Sequence, residues 1–121
     1  MFNGIILNQG VVKKILKRSK GINLFLKSNL KVTNKNLGIS VSCDGVCLTL
    51  ISVKDKLIEF YLSNETLKRS KFKRIKIGDY INLELPLKKS QNISGHICQG
   101  HVDTTAKIIK ISKKDKSIIY D

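Results

Sequence analysis

Ser40-Val41-Ser42-Cys43-Asp44-Gly45-Val46-Cys47-Leu48-Thr49-Leu50 sets two apolar, β-favouring runs around an Asp-Gly dipeptide. Asp-Gly is among the few pairs suited to the positive backbone angles of a tight two-residue hairpin turn. The stretch therefore reads as a β-hairpin, and the same pattern recurs on either side of it. Short runs of Ile, Val, Leu, Phe and Thr, broken by Gly, Asn, Asp or Lys-Asp, occupy residues 4–16, 22–30, 38–42, 46–53, 57–62 and 80–85. Lys54-Asp55-Lys56 supplies the turn after the Asp-Gly hairpin, and Gly78-Asp79 leads back into a strand. Ser63 is placed to cap one short helix over residues 64–69, with Glu65 complementing its first-turn amides. Six strands and one helix within residues 1–86 indicate an all-β fold, a compact antiparallel barrel.

The chain then restarts. Gly4-Ile5-Ile6-Leu7-Asn8-Gln9-Gly10-Val11-Val12-Lys13-Lys14-Ile15 aligns without a gap on Gly100-His101-Val102-Asp103-Thr104-Thr105-Ala106-Lys107-Ile108-Ile109-Lys110-Ile111. The match continues at the same spacing, with Lys17 on Lys113, Arg18 on Lys114, Lys20 on Lys116 and Ile22 on Ile118. A constant offset of this kind points to a duplicated unit. Pro86 marks the end of the first copy and 87–99 read as a connector. Residues 100–121 read as the opening strands of a second, incomplete barrel, with runs at 105–111 and 117–120. An isolated hairpin is marginal in water, so these strands must pack on the first barrel, exchange with another chain, or fray.

Composition narrows the function classes. No apolar run approaches a membrane span, and Met1-Phe2-Asn3-Gly4 lacks the basic start of a signal peptide, which makes the cytoplasm the expected location. The net charge of +14 comes from 20 Lys against 3 Arg. Nucleic-acid faces usually draw on Arg, whose planar fork reads phosphate and guanine bidentately. The densest patch, Lys68-Arg69-Ser70-Lys71-Phe72-Lys73-Arg74-Ile75-Lys76, suits either an RNA-binding strip or a solvated face in a lysine-rich chain, and the scatter of Lys elsewhere favours the solvated face. Cys43, Cys47 and Cys98, with His96 and His101, lack the spacing of a zinc site; no metal is expected.

Four segments resemble riboflavin synthase, the enzyme of two tandem lumazine-binding barrels. They are Met1-Phe2-Asn3-Gly4-Ile5; the Ser40–Leu50 stretch; Glu65-Thr66-Leu67-Lys68-Arg69-Ser70 followed by Gly78-Asp79-Tyr80-Ile81-Asn82-Leu83-Glu84; and Ser94-Gly95-His96-Ile97-Cys98-Gln99-Gly100-His101-Val102-Asp103. The departures are Asn3 for Thr, Asp44 for Asn and Ser94 for Gly. A second Gly-(Ile/Val)-Ser-Leu-Thr segment, a second Glu-Thr-Leu segment and a C-terminal trimerising helix are absent. The resemblance implies a six-stranded Greek-key barrel over 1–86 and a second barrel beginning near Gly100.

The resemblance also implies a chemistry. Two molecules of 6,7-dimethyl-8-ribityllumazine exchange a four-carbon unit, giving riboflavin and 5-amino-6-ribitylaminouracil, with no metal and no redox cofactor. The protein holds two rings together and shuttles protons. By resemblance, substrate contacts fall on Gly4, Ile5 and Ile6; on Cys47, Leu48 and Thr49; on Tyr61, Leu62, Ser63, Asn64, Glu65 and Thr66; and on Gln99, Gly100 and His101. Ser40, Cys47, His96 and His101 are the candidates for chemistry, with a neutral imidazole as the proton shuttle. Taken without the resemblance, Cys47 reads as a small strand hydrophobe and Glu65 as a helix first-turn carboxylate.

In the family the active site forms between the first barrel of one subunit and the second barrel of its neighbour. A homo-oligomer is therefore expected, a trimer as in the family or a two-fold dimer for a chain of this length. Three function classes remain from sequence: riboflavin synthase, a non-catalytic lumazine- or flavin-binding module, and a basic RNA-binding barrel.

Overall fold

The computed structural model describes residues 1–6, 8–87 and 99–121. Its first two strands, β1 (Asn8–Arg18) and β2 (Gly21–Ser28), form an antiparallel hairpin in register from Arg18↔Gly21 to Gly10↔Ser28. β3 (Ser40–Cys43) and β4 (Val46–Lys54) form the Asp-Gly hairpin, and β5 (Leu57–Ser63) folds back on β4. β2 skips its sequence neighbour and pairs with β5, while β6 (Tyr80–Glu84) bridges β3 and β1. The order β1-β2-β5-β4-β3-β6 closes on itself. This is the six-stranded antiparallel barrel expected from the sequence, with its two crossovers in Greek-key fashion.

Period-two alternation builds the interior. Leu24 faces Phe60, Leu26 faces Ile58, Val41 faces Leu48, and Ile81 and Leu83 complete the ring from β6; all are buried. Phe72, on a 3₁₀ turn at Lys71–Arg74, is buried against the same core. Both tight turns behave as their residues dictate. Asp44 and Gly45 have φ of 47° and 81°, and Asp55 and Lys56 have φ of 49° and 64°, the paired positive angles of type I′ hairpins. Gly21 is required by close approach, because a Cβ there would lie 2.0 Å from the Leu62 carbonyl oxygen of β5.

The helix α1 (Asn64–Arg69) starts where the sequence placed it. The Ser63 hydroxyl accepts the Thr66 N–H at 3.1 Å, satisfying one of the open first-turn donors. Among the described residues no helix is long and apolar enough to cross a membrane.

Two strands begin well away from the expected residue, while the other barrel boundaries differ by no more than two residues. β1 begins at Asn8, not at residue 4, because the Asn3 and Gly4 amides bond to the Glu84 side chain instead of to a strand. The run expected at 105–111 becomes β7 (Ile111–Lys114), paired with β8 (Ser117–Tyr120). A strand extends only as far as the partner opposite it, and β8 offers partners only for 111–114. The repeat itself is structural. Lys114↔Ser117, Lys113↔Ile118, Ser112↔Ile119 and Ile111↔Tyr120 repeat, at the offset separating Gly4 from Gly100, the pairs Arg18↔Gly21, Lys17↔Ile22, Leu16↔Asn23 and Ile15↔Leu24. In the barrel Leu24 is fully buried, whereas Ile111, Ile118 and Tyr120 of the second hairpin are exposed.

Core and hairpin should respond differently to truncation. Phe60→Ala, which empties a fully buried site, is expected to cost about 3–5 kcal/mol in denaturant unfolding. Ile109→Ala, at a residue 80% exposed, is expected to change stability by less than about 0.5 kcal/mol.

Candidate ligand site

The β3–β4 hairpin presents one polar outer face. Ser40 pairs with Thr49 and Ser42 with Cys47, so alternation sets these four side chains opposite the buried Val41 and Leu48. Cys47 and Thr49 are exposed and Ser40 is half-buried. Cys43, on the inner face, is buried, and that burial, reinforced by the neighbouring Asp44 charge and by Cys47, pushes its thiol well above the ordinary range. It is a core thiol, whereas Cys47 is the accessible one.

The backbone of the same strand opens a notch. A two-residue turn makes Cys43 and Val46 a hydrogen-bonded pair, and bonding then alternates along the ladder. Leu50 follows that alternation, donating its N–H to Ile39 and accepting from Gly38 at 3.0 and 2.9 Å on the β3 side. The N–H and C=O of Cys47 and Thr49 therefore point the other way, toward β5. There the β4–β5 ladder, after an irregularity between Leu50 and Ser52, ends at Leu50↔Phe60. Beyond that pair β5 continues against β2, from Tyr61↔Asn23 to Gly21↔Ser63, and runs into α1. The notch between the parting strands is thus edged by peptide groups on one side and by Tyr61–Ser63 and the helix start on the other.

At that edge the hydroxyls of Ser63 and Thr66 lie 3.1 Å apart. Tyr61 is exposed, with its hydroxyl donating to the Lys20 carbonyl at 2.8 Å. Glu65 pairs with Arg69 at 3.1 Å on the exposed side of α1, a pair of small energetic weight. Leu48 and Leu62 turn inward and are buried, and by the same alternation their peptide groups face Val41 of β3 and Ile22 of β2, away from the notch.

A second group of the expected residues gathers beside β3 and β6. A cavity of about 370 Å³ is lined there by Gly4, Ile6 and Gly100 together with Ser42, Asp44 and Asn82. Gly100 donates to the Phe2 carbonyl at 2.8 Å and Val102 to the Gly45 carbonyl at 3.2 Å, which lays residues 99–102 against the hairpin. His101, between them, is exposed, as are Gln99 and Ile5. The Asp44 carboxylate accepts the Asn82 N–H at 2.8 Å through Oδ1, while Oδ2 is fully buried with Lys71 as its ion-pair partner.

The expected residues thus divide between the notch and the cavity, with His101 on the segment that reaches the hairpin tip. His96 and Cys98 lie outside the described residues. Sequence reasoning did not name Ser42, Asp44, Lys71, Asn82 or Glu84 as site residues. Period-two spacing from Ser40 could have flagged Ser42; nothing in the local sequence pairs Lys71 with Asp44.

A family model, lumazine binding domain, matches residues 3–86. The chain belongs to the lumazine-binding family. Riboflavin synthase of Chlamydia pneumoniae is 40% identical over 114 residues, covering 93% of this chain and 57% of the relative. That of Buchnera aphidicola subsp. Baizongia pistaciae is 39% identical over 106 residues, covering 87% and 50%. That of Bacillus amyloliquefaciens is 31% identical over 121 residues, covering 100% and 56%. The chain therefore spans about half the length of the curated relatives it matches. LumP complexed with 6,7-dimethyl-8-(1'-D-ribityl) lumazine and LumP complexed with riboflavin share the fold. Their TM-scores are 0.74 and 0.75 at 18% identity, covering 98% of this chain and 66% and 64% of those.

The two thiols of the hairpin give a direct check of the two faces. In the native chain carrying Cys98→Ser, iodoacetamide at pH 8 is expected to label Cys47 and spare Cys43, with both labelled after denaturation, as read by peptide mass mapping. Equal labelling of both in the native chain would contradict the placement of Cys43.

Proposed function

We propose that this chain binds 6,7-dimethyl-8-ribityllumazine in the notch beside β4 and acts as the lumazine-holding half of a riboflavin synthase. The observation that carries the reading is the β4–β5 ladder ending at Leu50↔Phe60, which leaves the Cys47 and Thr49 peptide groups aimed at an open edge. The edge of a pteridine-type ring alternates hydrogen-bond donors and acceptors, and unpaired strand peptides match it group for group. The ribityl chain needs hydroxyl partners, which Thr49, Ser63 and Thr66 supply. The family match over residues 3–86 and the riboflavin synthase relatives support the same ligand.

For the reaction the protein has to stack two lumazines and move protons between them. Cys47 and Ser40, on the outer face, are the candidates nearest the ring for proton handling, and His101 reaches the same hairpin from the 99–102 segment. Cys43 is excluded from this role by burial as a neutral thiol. In this reading residues 1–86 form the ligand-binding barrel and residues 100–121 belong to a second barrel that abuts it. Two copies of the chain bring the two rings together.

A second reading has its own support. The chain spans about half of its relatives, and LumP is structurally similar and has been crystallised with lumazine, riboflavin and flavin mononucleotide. Binding without turnover fits those facts. One experiment separates the two: titrate the chain with lumazine by fluorescence, then follow riboflavin formation at saturating ligand. Binding with turnover is the expected outcome; binding without turnover leaves the module reading, and no binding rejects both. Thr49→Val is expected to weaken lumazine binding about three- to tenfold, the loss of one hydrogen bond, with the barrel still folded by circular dichroism.

A further inference from the structure

Glu84, the last residue of β6, is a carboxylate only 5% exposed. Among the described residues no cation pairs with it. Its oxygens instead accept backbone amides: Oε1 takes the Asn3 N–H at 2.6 Å and the Gly4 N–H at 3.1 Å, and Oε2 also takes the Gly4 N–H at 3.1 Å. A buried carboxylate is costly unless hydrogen bonds replace its water, and bonds to a charged acceptor are the strong kind. Those bonds hold Gly4 at φ 80° with its amide turned back toward β6.

The Gly4 position in turn fixes the start of the second repeat. Gly100 donates to the Phe2 carbonyl and packs so closely that a Cβ on it would lie 2.3 Å from the Gly4 nitrogen and 3.0 Å from Glu84 Oε2. One carboxylate therefore underlies Gly4 and Gly100, which are equivalent positions of the repeat. Two residues further on, Val102 is bonded to Gly45 at the tip of the hairpin that carries Cys47. His101 is suspended between those two anchors. The far end of the N-terminal segment has its own tie, Leu87 N–H to the Met1 carbonyl at 2.9 Å, so loss of the Glu84 bonds frees Asn3 and Gly4 specifically.

We propose that Glu84 is a positioning residue for the ligand site: through the Asn3 and Gly4 amides it holds residues 99–102 against the β3–β4 hairpin and so sets where His101 stands. The proposal rests on the lumazine reading above and adds a residue that touches neither the notch nor the ring. Glu84→Gln tests it with little change of volume, since the amide replaces one acceptor oxygen with a donor that faces donors. With full-length chain, the amides of Leu24, Leu50 and Phe60 in ¹H–¹⁵N spectra should stay in place. The Gly100 amide and the His101 imidazole signals should move toward values of unstructured peptide, and lumazine affinity should fall tenfold or more.

Gly100→Ala attacks the same contact from the opposite side and should reproduce both effects; it carries the test should Glu84→Gln not fold. Unchanged Gly100 and His101 signals in a folded Glu84→Gln chain would overturn the proposal, as would displaced signals with unaltered affinity. The lumazine reading fails separately, by a wild-type chain that binds no lumazine. The Gly100 and His101 signals then still decide whether Glu84 sets that segment.

Discussion

Pairing of β1 with β6, from Asn8↔Leu83 to Val11↔Tyr80, is the constraint on which the molecule depends. It converts an open sheet into a closed one, and closure gives each strand one dry face and one wet face. The consequence reaches the site. With the inner positions of β3 and β4 committed to Val41, Cys43, Leu48 and Leu50, alternation leaves Ser40, Ser42, Cys47 and Thr49 on the outer side of the barrel wall, where Ser42 is itself covered and buried. The polar face is what remains once the core is assigned.

Closure also explains why the opening lies where it does. A six-stranded barrel has no free edge, so peptide groups become available to a ligand only where a ladder is interrupted. The β4–β5 ladder passes the irregularity at Ile51 and ends at Leu50↔Phe60, while β5 runs on to cap α1 through Ser63. The cost of leaving the Cys47 and Thr49 peptide groups without a ladder partner among the described residues is bounded because both residues are exposed and water can serve them.

Much of the fold was legible in the sequence because its signals are local. Asp44-Gly45 and Lys54-Asp55-Lys56 specify turns through their own backbone preferences, Ser63 specifies a helix start, and apolar runs specify strands. The gapless alignment of the N-terminal segment on the stretch from Gly100 was legible too, and the register of the second hairpin follows the same offset. The starts of β1 and β7 were not, because each depends on a distant partner: Glu84 for the first and β8 for the second. The site divides in the same way. Cys47 and Thr49 stand in a motif and could be named from it. Whether Leu48 and Leu62 face a ligand or the core depends on strand parity, which a motif does not carry. Asp44 with Lys71, and Glu84 with Asn3 and Gly4, join residues 27 or more positions apart, beyond the reach of any local pattern.

Gly21 allows β5 to lie against the tip of the first hairpin, where even a methyl group would strike the Leu62 carbonyl. The matching position in the second hairpin is Ser117. There the second hairpin carries a hydroxymethyl group where the first carries only hydrogen. The two hairpins therefore share a register but not a bare edge: only the first has the stripped backbone that lets a strand lie flush against its tip.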